Sequence, residues 1–484
     1  MTNHSNSQTK ELKKEVLSRV IKAFDSKNFE ENVRLIPYDM RPKGCEVPYR
    51  CCVYKERAII KDRIIADLGI SIENDDEKTL LSDYASQALK RKTPDKKVLT
   101  VLEAACKGCV PNRVFVTNLC QGCVARQCLN SCKFGAISIV EGKSVIDGTK
   151  CKGCMQCIKA CPYSAIVKVK VPCEDSCPVS AIEKDESGHA KIDFNKCITC
   201  GKCVEGCPFG AVHEKSQIID ILKAMKVGKK VISMVAPAIM GQFLCEPEQL
   251  HSAIKKLGFY DVYEVAYGAD ITTRHEAKDF VERMERGDEF MTTSCCAGYI
   301  QLTEKILPEI KPFMSTSKTP LYYTSEIVKK EHPDCISVFF TPCTAKRVEV
   351  KNNPLIDYVI NFEELQAWFN AKEIDVSKCE KTLFKKEASK QGREYPLTSK
   401  VAKAVETLVD EDIIIKAHCI NGLNKQSIAE LKKYAITGEC EFGNMVEVMA
   451  CEGGCIGGNG TIGALKTAVK QINTYGDKSK QISE

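Results

Sequence analysis

The sequence lacks any long apolar run. Its longest, VISMVAPAIM at 231–240, falls well short of the about 20 apolar residues a membrane-spanning helix needs. The opening MTNHSNSQTK contains no hydrophobic leader, so no secretory signal is read and the cytoplasm is the expected compartment. A convincing dinucleotide fingerprint is missing too. Gly458, Gly460 and Gly463 have G-x-G-x-x-G spacing, but neither a strand-to-helix junction nor a suitably placed acidic residue accompanies them. Close approach of the backbone to a bulky cofactor is the better reason for these glycines. What remains is a composition, 44% hydrophobic and 28% charged, of a soluble globular chain long enough for two to four domains.

Cysteine is what the sequence has in excess. In a chain of 484 residues without a leader, 29 cysteines point to metal or redox chemistry rather than to a disulfide framework. Sixteen of them lie between Cys106 and Cys207. CKGCMQCIKACP (151–162) and CITCGKCVEGCP (197–208) repeat the spacing C-x2-C-x2-C-x3-C-P of bacterial ferredoxins. CQGCVARQCLNSCK (120–133) is a variant, and VPCEDSCP (171–178) keeps the last two cysteines of a run. In this pattern three close cysteines wrap one 4Fe–4S cluster and the fourth ligates its neighbour.

Crossing the fourth ligands assigns Cys120, Cys123, Cys128 and Cys161 to one cluster, and Cys132, Cys151, Cys154 and Cys157 to a second. Cys177, Cys197, Cys200 and Cys203 make a third, and Cys173, Cys207, Cys106 and Cys109 a fourth. A zinc ribbon built from CxxC pairs does not explain the repeated C-P. With a fifth cluster further on, bound thiolates would turn the formal charge of +6 into about −4, so the basic apo chain is not read as binding nucleic acid.

Three stretches follow. Residues 1–100 read as a small helical domain of unassigned role, because Leu12, Val16, Leu17, Val20, Ile21 and Phe24 share one helical face and RAIIKDRIIADLGI (57–70) repeats the pattern up to Gly69. KRKTPDKK (90–97) reads as a solvated linker. Residues 101–225 are α+β ferredoxin-like domains with four clusters. Residues 226–484 have α/β character, with KVISMVAPAI (230–239), CISVFFTPC (335–343) and DIIIKAHCI (412–420) as buried strands.

Three cysteine motifs occur in that last stretch: TSCCAGY (293–299), TPCTAKRVE (341–349) and EVMACEGGCIGGNG (447–460). In order, they resemble the three signature motifs of iron-only (FeFe) hydrogenases, TSCCPxW, MPCxxKxxE and ExMACxxGCxxGGG. The resemblance implies an H-cluster, a 4Fe–4S unit joined to a diiron subsite with carbonyl, cyanide and a dithiolate bridge. It assigns Cys296, Cys343, Cys451 and Cys455 as ligands, with Cys455 bridging to the diiron unit. Lys346 would hydrogen-bond a cyanide, Met449 would pack near the diiron unit, and Ala236 and Pro237 would line the opposite side. It further implies a proton relay of Cys295, Glu276, Ser315, Asp279 and Arg283. Glu276, Asp279 and Arg283 also read as a polar helix face with an i,i+4 ion pair.

Ala297, Tyr299, Thr341 and Asn459 depart from the family pattern and resemble a divergent branch, often called group B. The implied function is reversible hydrogen oxidation and proton reduction in an anaerobic cytoplasm, with electrons exchanged with ferredoxin or a similar low-potential carrier. Hydrogenase maturation proteins are implied partners, and neither nucleic acid nor membrane is expected. A hydrogen sensor or a Nar-type iron–sulfur assembly protein is the alternative. An assembly protein needs no relay, so Cys295, Lys346 and Glu276 favour catalysis. The other eight cysteines, Cys45, Cys51, Cys52, Cys245, Cys335, Cys379, Cys419 and Cys440, read as structural.

Overall fold

A computed structural model describes residues 8–46, 49–95, 97–109, 114–410 and 412–483. Four helices, Gln8–Phe24, Phe29–Met40, Val53–Asp67 and Leu81–Lys90, open the chain. The first buries Val16, Leu17, Val20, Ile21 and Phe24 along one stripe, while Leu12 is half-buried. Val20 and Ile21 are fully buried, each worth about 2 kcal/mol of apolar burial. That stripe packs on the helix Phe362–Ala371 of the C-terminal region, which starts at an Asn361–Glu364 capping box. The core is therefore continuous, running from Ile21 and Ile64 to Met234, Phe340 and Trp368. Segment 90–97 is mostly exposed but pinned at two points, which a free linker would not be: Arg91 pairs with Asp220, and Asp95 holds Lys215 at 2.7 Å. Lys96 lies outside the described residues.

Two small ferredoxin-like units follow, one inside the other. The strands Leu99–Val101 and Val212–Glu214 pair antiparallel and close the inner unit. Within that span, Val114–Val116 pairs with Ile166–Lys168 and closes the second, outer unit. The outer unit has its own core of Val114, Cys128, Ile137, Cys157 and Ile166. Each quartet uses one cysteine inside a one-turn helix: Cys128, Cys157, Cys173 and Cys203.

The C-terminal region contains two parallel sheets. One runs, in spatial order, Asp261–Glu264, Val231–Val235, Ile336–Thr341 and Tyr358–Asn361. The other runs Met291–Thr292, Met445–Met449 and Ala417–Asn421. The first strand of DIIIKAHCI starts at Ala417, later than its apolar run suggests. Ile414 there is 71% exposed, and Ile413 and Ile415 pack from an irregular segment onto Phe280, Met291 and Val405. Ala236, Cys296, Cys343 and Cys451 all lie just past the carboxyl ends of strands, where open parallel sheets place their ligand sites. Among the described residues, no helix is long and apolar enough to cross a membrane.

Candidate metal centres and the buried relay

The ferredoxin-like cysteines gather as crossed quartets. One cavity is lined by Cys120, Cys123, Cys128 and Cys161, a second by Cys132, Cys151, Cys154 and Cys157, and a third by Cys177, Cys197, Cys200 and Cys203. Cys106, Cys109, Cys173 and Cys207 pack together beside the third. Burial, then the neighbouring Cys207, pushes the Cys173 thiol up to about 11.

A repeated backbone contact orients the crossing ligand. The alanine N–H four residues on donates to the cysteine sulfur at Cys132 (3.4 Å), Cys161 (3.4 Å), Cys177 (3.2 Å) and Cys207 (3.4 Å). Such a bond favours thiolate. The sequence signal for it is the C-x3-A repeat in CKFGA, CPYSA, CPVSA and CPFGA.

In the C-terminal cleft, Cys296, Cys343, Cys451 and Cys455 converge from loops of both sheets. Desolvation, reinforced by the other thiols, pushes Cys343 up to about 11, Cys455 up to about 12 and Cys451 well above its ordinary value. Crowded, desolvated thiols of this kind are poor as free acids and become stable thiolates on a polynuclear cation. The donor set thus fits an iron–sulfur cluster. Cys200 also acts on Cys451, so the third quartet adjoins this one.

The glycine-rich tail allows close chain approach. A Cβ on Gly457 would stand 2.0 Å from the Glu452 carbonyl oxygen, and one on Gly458 2.5 Å from that of Pro342. These glycines hold the cysteine loops against one another.

Lys346 donates to the Cys295 carbonyl (3.2 Å) and to Glu349 (2.5 Å). Burial works against its charge, but Glu349 and the nearby thiols outweigh it and hold the ammonium above its usual value. Cys295 is buried with Met449 and Tyr395. Its thiol is pushed well up, by burial first and by Glu276 second. Glu276 is fully buried on the helix Val265–Arg286. It accepts from the Ser294 N–H and from the Tyr395 hydroxyl, each at 3.3 Å, and burial pushes it up to about 7. The turn Pro237–Ile239, which follows Ala236, packs against the turn Cys455–Gly457.

The outer part of the relay is arranged differently from the expected order. Asp279 accepts from the Thr316 N–H (2.7 Å) and the Thr316 hydroxyl (3.1 Å), not from Ser315. Ser315 is buried, and its hydroxyl accepts from the Ser317 N–H (3.2 Å). Asp279 also holds Arg283 at 3.0 Å, so the i,i+4 pair exists. The face is not a solvated one, however: Arg283 is buried and donates to the carbonyls of Pro312 and Met314, both at 2.9 Å. Burial opposes ionisation of Asp279, yet the Thr316 N–H and Arg283 keep it below the ordinary carboxyl value.

Two residues of the site, Tyr395 and Thr316, carry no motif signal and enter only through the fold, whereas Glu349 ends the second motif and Glu447 opens the third without a role being assigned to either from the sequence. Glu447 is fully buried and accepts from the N–H groups of Ser399 (2.7 Å) and Ala402 (3.0 Å). Two departures from the family pattern acquire a reason. Tyr299 is fully buried with its hydroxyl 2.9 Å from that of Thr292. Asn459 donates to Glu214 (2.6 Å) and accepts from Thr344 (2.8 Å), joining the inner ferredoxin-like unit to the Cys343 loop. Of the remaining cysteines, Cys335 and Cys379 are buried and Cys51 is exposed.

Residues 229–459 match the family model described as iron only hydrogenase large subunit, C-terminal domain. The C-terminal region is thus similar to an iron-only hydrogenase domain. Preceding it, 143–166 match a 4Fe-4S binding domain and 167–218 the LdpA Fe-S cluster-binding domain. Iron hydrogenase 1 of Clostridium pasteurianum is 27% identical over 303 residues, covering 51% of this chain and 53% of that protein. The chain thus spans about half the length of that relative. The periplasmic [Fe] hydrogenase large subunit of Nitratidesulfovibrio vulgaris is 28% identical over 372 residues, 65% of this chain and 85% of that one. A solved [FeFe]-hydrogenase from Chlamydomonas reinhardtii aligns over 51% of this chain and 83% of its own at 21% identity, with a TM-score of 0.41. A cytosolic Fe-S cluster assembly factor of Kluyveromyces lactis is 26% identical over 112 residues, 22% of this chain.

Proposed function

We propose that this C-terminal region carries an H-cluster and catalyses reversible hydrogen oxidation and proton reduction in the cytoplasm, exchanging electrons with ferredoxin through four accessory 4Fe–4S clusters. The observation that carries the reading is the seating of a buried Cys295–Glu276 pair against the four-thiol cradle. A structural or assembly site has no use for such a pair.

Cys296, Cys343, Cys451 and Cys455 would hold the 4Fe–4S half, with Cys455 shared with the diiron half. When bound, that cofactor supplies a low-valent iron with an open position and a neighbouring base. The chain's own residues do the rest. Lys346, fixed by Glu349, presents a charged donor where an anionic cyanide would otherwise be buried unpaired. Met449, Ala236 and Pro237 wall the cleft. Cys295 and Glu276 form the inner relay. Glu276 is poised near neutrality, where a carboxyl both takes and gives a proton most readily. Ser315, its neighbour Thr316, Asp279 and Arg283 continue it outward, with the bond to Asp279 made by Thr316 and not by Ser315. Cys200 beside Cys451 marks the electron entry, and hydrogenase maturation proteins would install the diiron unit.

The test is infrared spectroscopy of the maturated protein, together with hydrogen evolution from a reduced dye. Bands of metal-bound carbonyl and cyanide with turnover are expected. Bands without turnover would make the protein a sensor, and no bands would refute the H-cluster.

A further inference from the structure

The outer ferredoxin-like unit is electrostatically unlike the rest of the molecule. Residues 114–170 contain eight basic and two acidic residues, which equals the +6 surplus of the whole chain and leaves the other residues neutral in sum. All eight cations are exposed, Arg126, Lys133 and Lys143 among them. Two bound 4Fe–4S clusters would remove about four charges and leave the unit near +2. The unit also exposes apolar groups: Val124 is 98% exposed, Leu119 60%, Tyr163 51% and Phe134 47%. Apolar patches rimmed by charge mark interaction surfaces.

Strand register says which end faces outward. Val114 pairs with Lys168, and Val116 with Ile166. The chain enters at Val114 and leaves past Lys168, so that end is the root. Val114 lines the cavity of Cys132, Cys151, Cys154 and Cys157, whereas Val116 and Ile166 line that of Cys120, Cys123, Cys128 and Cys161. The cavity of Cys120, Cys123, Cys128 and Cys161 is therefore the outermost. Leu119 precedes Cys120, Val124 follows Cys123, Tyr163 lines the cavity wall, and Lys143 is exposed next to Ser144, which lines the same cavity.

We propose that this outer end is the docking surface for a small acidic one-electron carrier protein, seated on Leu119, Val124 and Tyr163 and oriented by the surrounding cations. The proposal rests on the iron–sulfur reading of these cysteines and locates the carrier of the proposed function. One electron leaves the docked carrier, which is oxidised by one, and enters the outermost cluster, which is reduced by one; no proton moves.

The test uses the full chain carrying its accessory clusters but produced without the diiron maturation machinery. Its reduction by a reduced acidic 2[4Fe–4S] ferredoxin is followed by stopped flow. Wild type should react more slowly as salt is raised. The pair Val124→Asp with Lys143→Glu should slow the second-order rate about tenfold and weaken its salt dependence. Lys168→Glu with Lys170→Glu makes a comparable charge change at the root and should cost about threefold or less. Iron content per chain confirms that each variant keeps its clusters, and Lys143→Glu alone serves if the pair does not. Equal losses in the two pairs, no loss in the first, a wild-type rate that rises with salt, or capture by anionic phosphatidylserine vesicles instead of ferredoxin would overturn the proposal. Cluster reduction needs no hydrogen turnover. Viologen-driven hydrogen evolution by the maturated protein, measured separately, reports on the hydrogenase reading alone.

Discussion

In the outer unit, Cys154 is exposed and its quartet comes from a few turns of one short segment, closed by Cys132 from the neighbouring run. In the cleft, by contrast, Cys296, Cys343, Cys451 and Cys455 arrive from strand ends of two different sheets, and desolvation holds Cys451 and Cys455 high. Cysteine supplies the candidate ligands in both places. The outer cradles are made by local chain turns, so they tolerate solvent and lie near the proposed docking face. The inner cradle is made by tertiary packing, so it can be dry, walled and furnished with a relay. The difference teaches that electron transfer needs only proximity, whereas proton and hydrogen chemistry needs enclosure.

The strongest way to break this comparison is to remove one ligand from each cradle. Cys451→Ser should abolish hydrogen turnover and the infrared bands, because a desolvated cradle cannot borrow a ligand from water. Cys123→Ser should keep the bands and retain viologen-driven turnover within about threefold, since a small dye can bypass the outermost cluster. Retained turnover in the first variant, or lost bands in the second, would equate the two sites.

Next in size is the relay. Cys295→Ala and Glu276→Gln should each lower turnover by about 10²–10⁴-fold with the carbonyl and cyanide bands preserved. Tyr395→Phe keeps the ring but removes a donor to Glu276. It should cost less, about tenfold or below, and raise the Glu276 pKa further, as read from the carboxyl infrared band against pH.

A stability measurement sharpens the contrast without any turnover. Burial raises Glu276 from the ordinary 4.5 to about 7, so the folded state binds the extra proton between those values. Its contribution is fully present below about 4.5 and is lost as pH rises through about 7. Across that window wild type should lose about 3 kcal/mol relative to Glu276→Gln. Parallel melting curves for the two proteins would place Glu276 in solvent.

The smallest effect concerns the junction between the two regions. Asn459→Gly restores the commoner glycine but removes bonds to Glu214 and Thr344. Thermal unfolding should show a loss of about 1–2 kcal/mol, while the outer clusters keep their spectra.

Legibility followed locality. The quartets around Cys120 and Cys151 could be paired from spacing, because three of their four ligands lie within one turn of chain. The helices over 11–24 and 57–70 could be placed because their apolar stripes repeat at helical period. The strand at Ala417 was displaced by an apolar triplet that packs from an irregular segment. The role of segment 90–97 was hidden because its partners, Asp220 and Lys215, lie more than a hundred residues on. Tyr395 and Thr316 were invisible for the same reason, and the direct Ser315 link was expected from the family resemblance alone.

The sequence by itself determined the ligand chemistry: which cysteines repeat, which are adjacent and which lie beside lysine and glycine. Bonds to iron are short and demand particular atoms, so that choice is written residue by residue. Only the tertiary structure decided which side chains surround those ligands, how dry they are and which carboxyl is raised. Desolvation and hydrogen bonding depend on everything packed nearby, and for Cys295 and Glu276 those neighbours come from four distant parts of the chain.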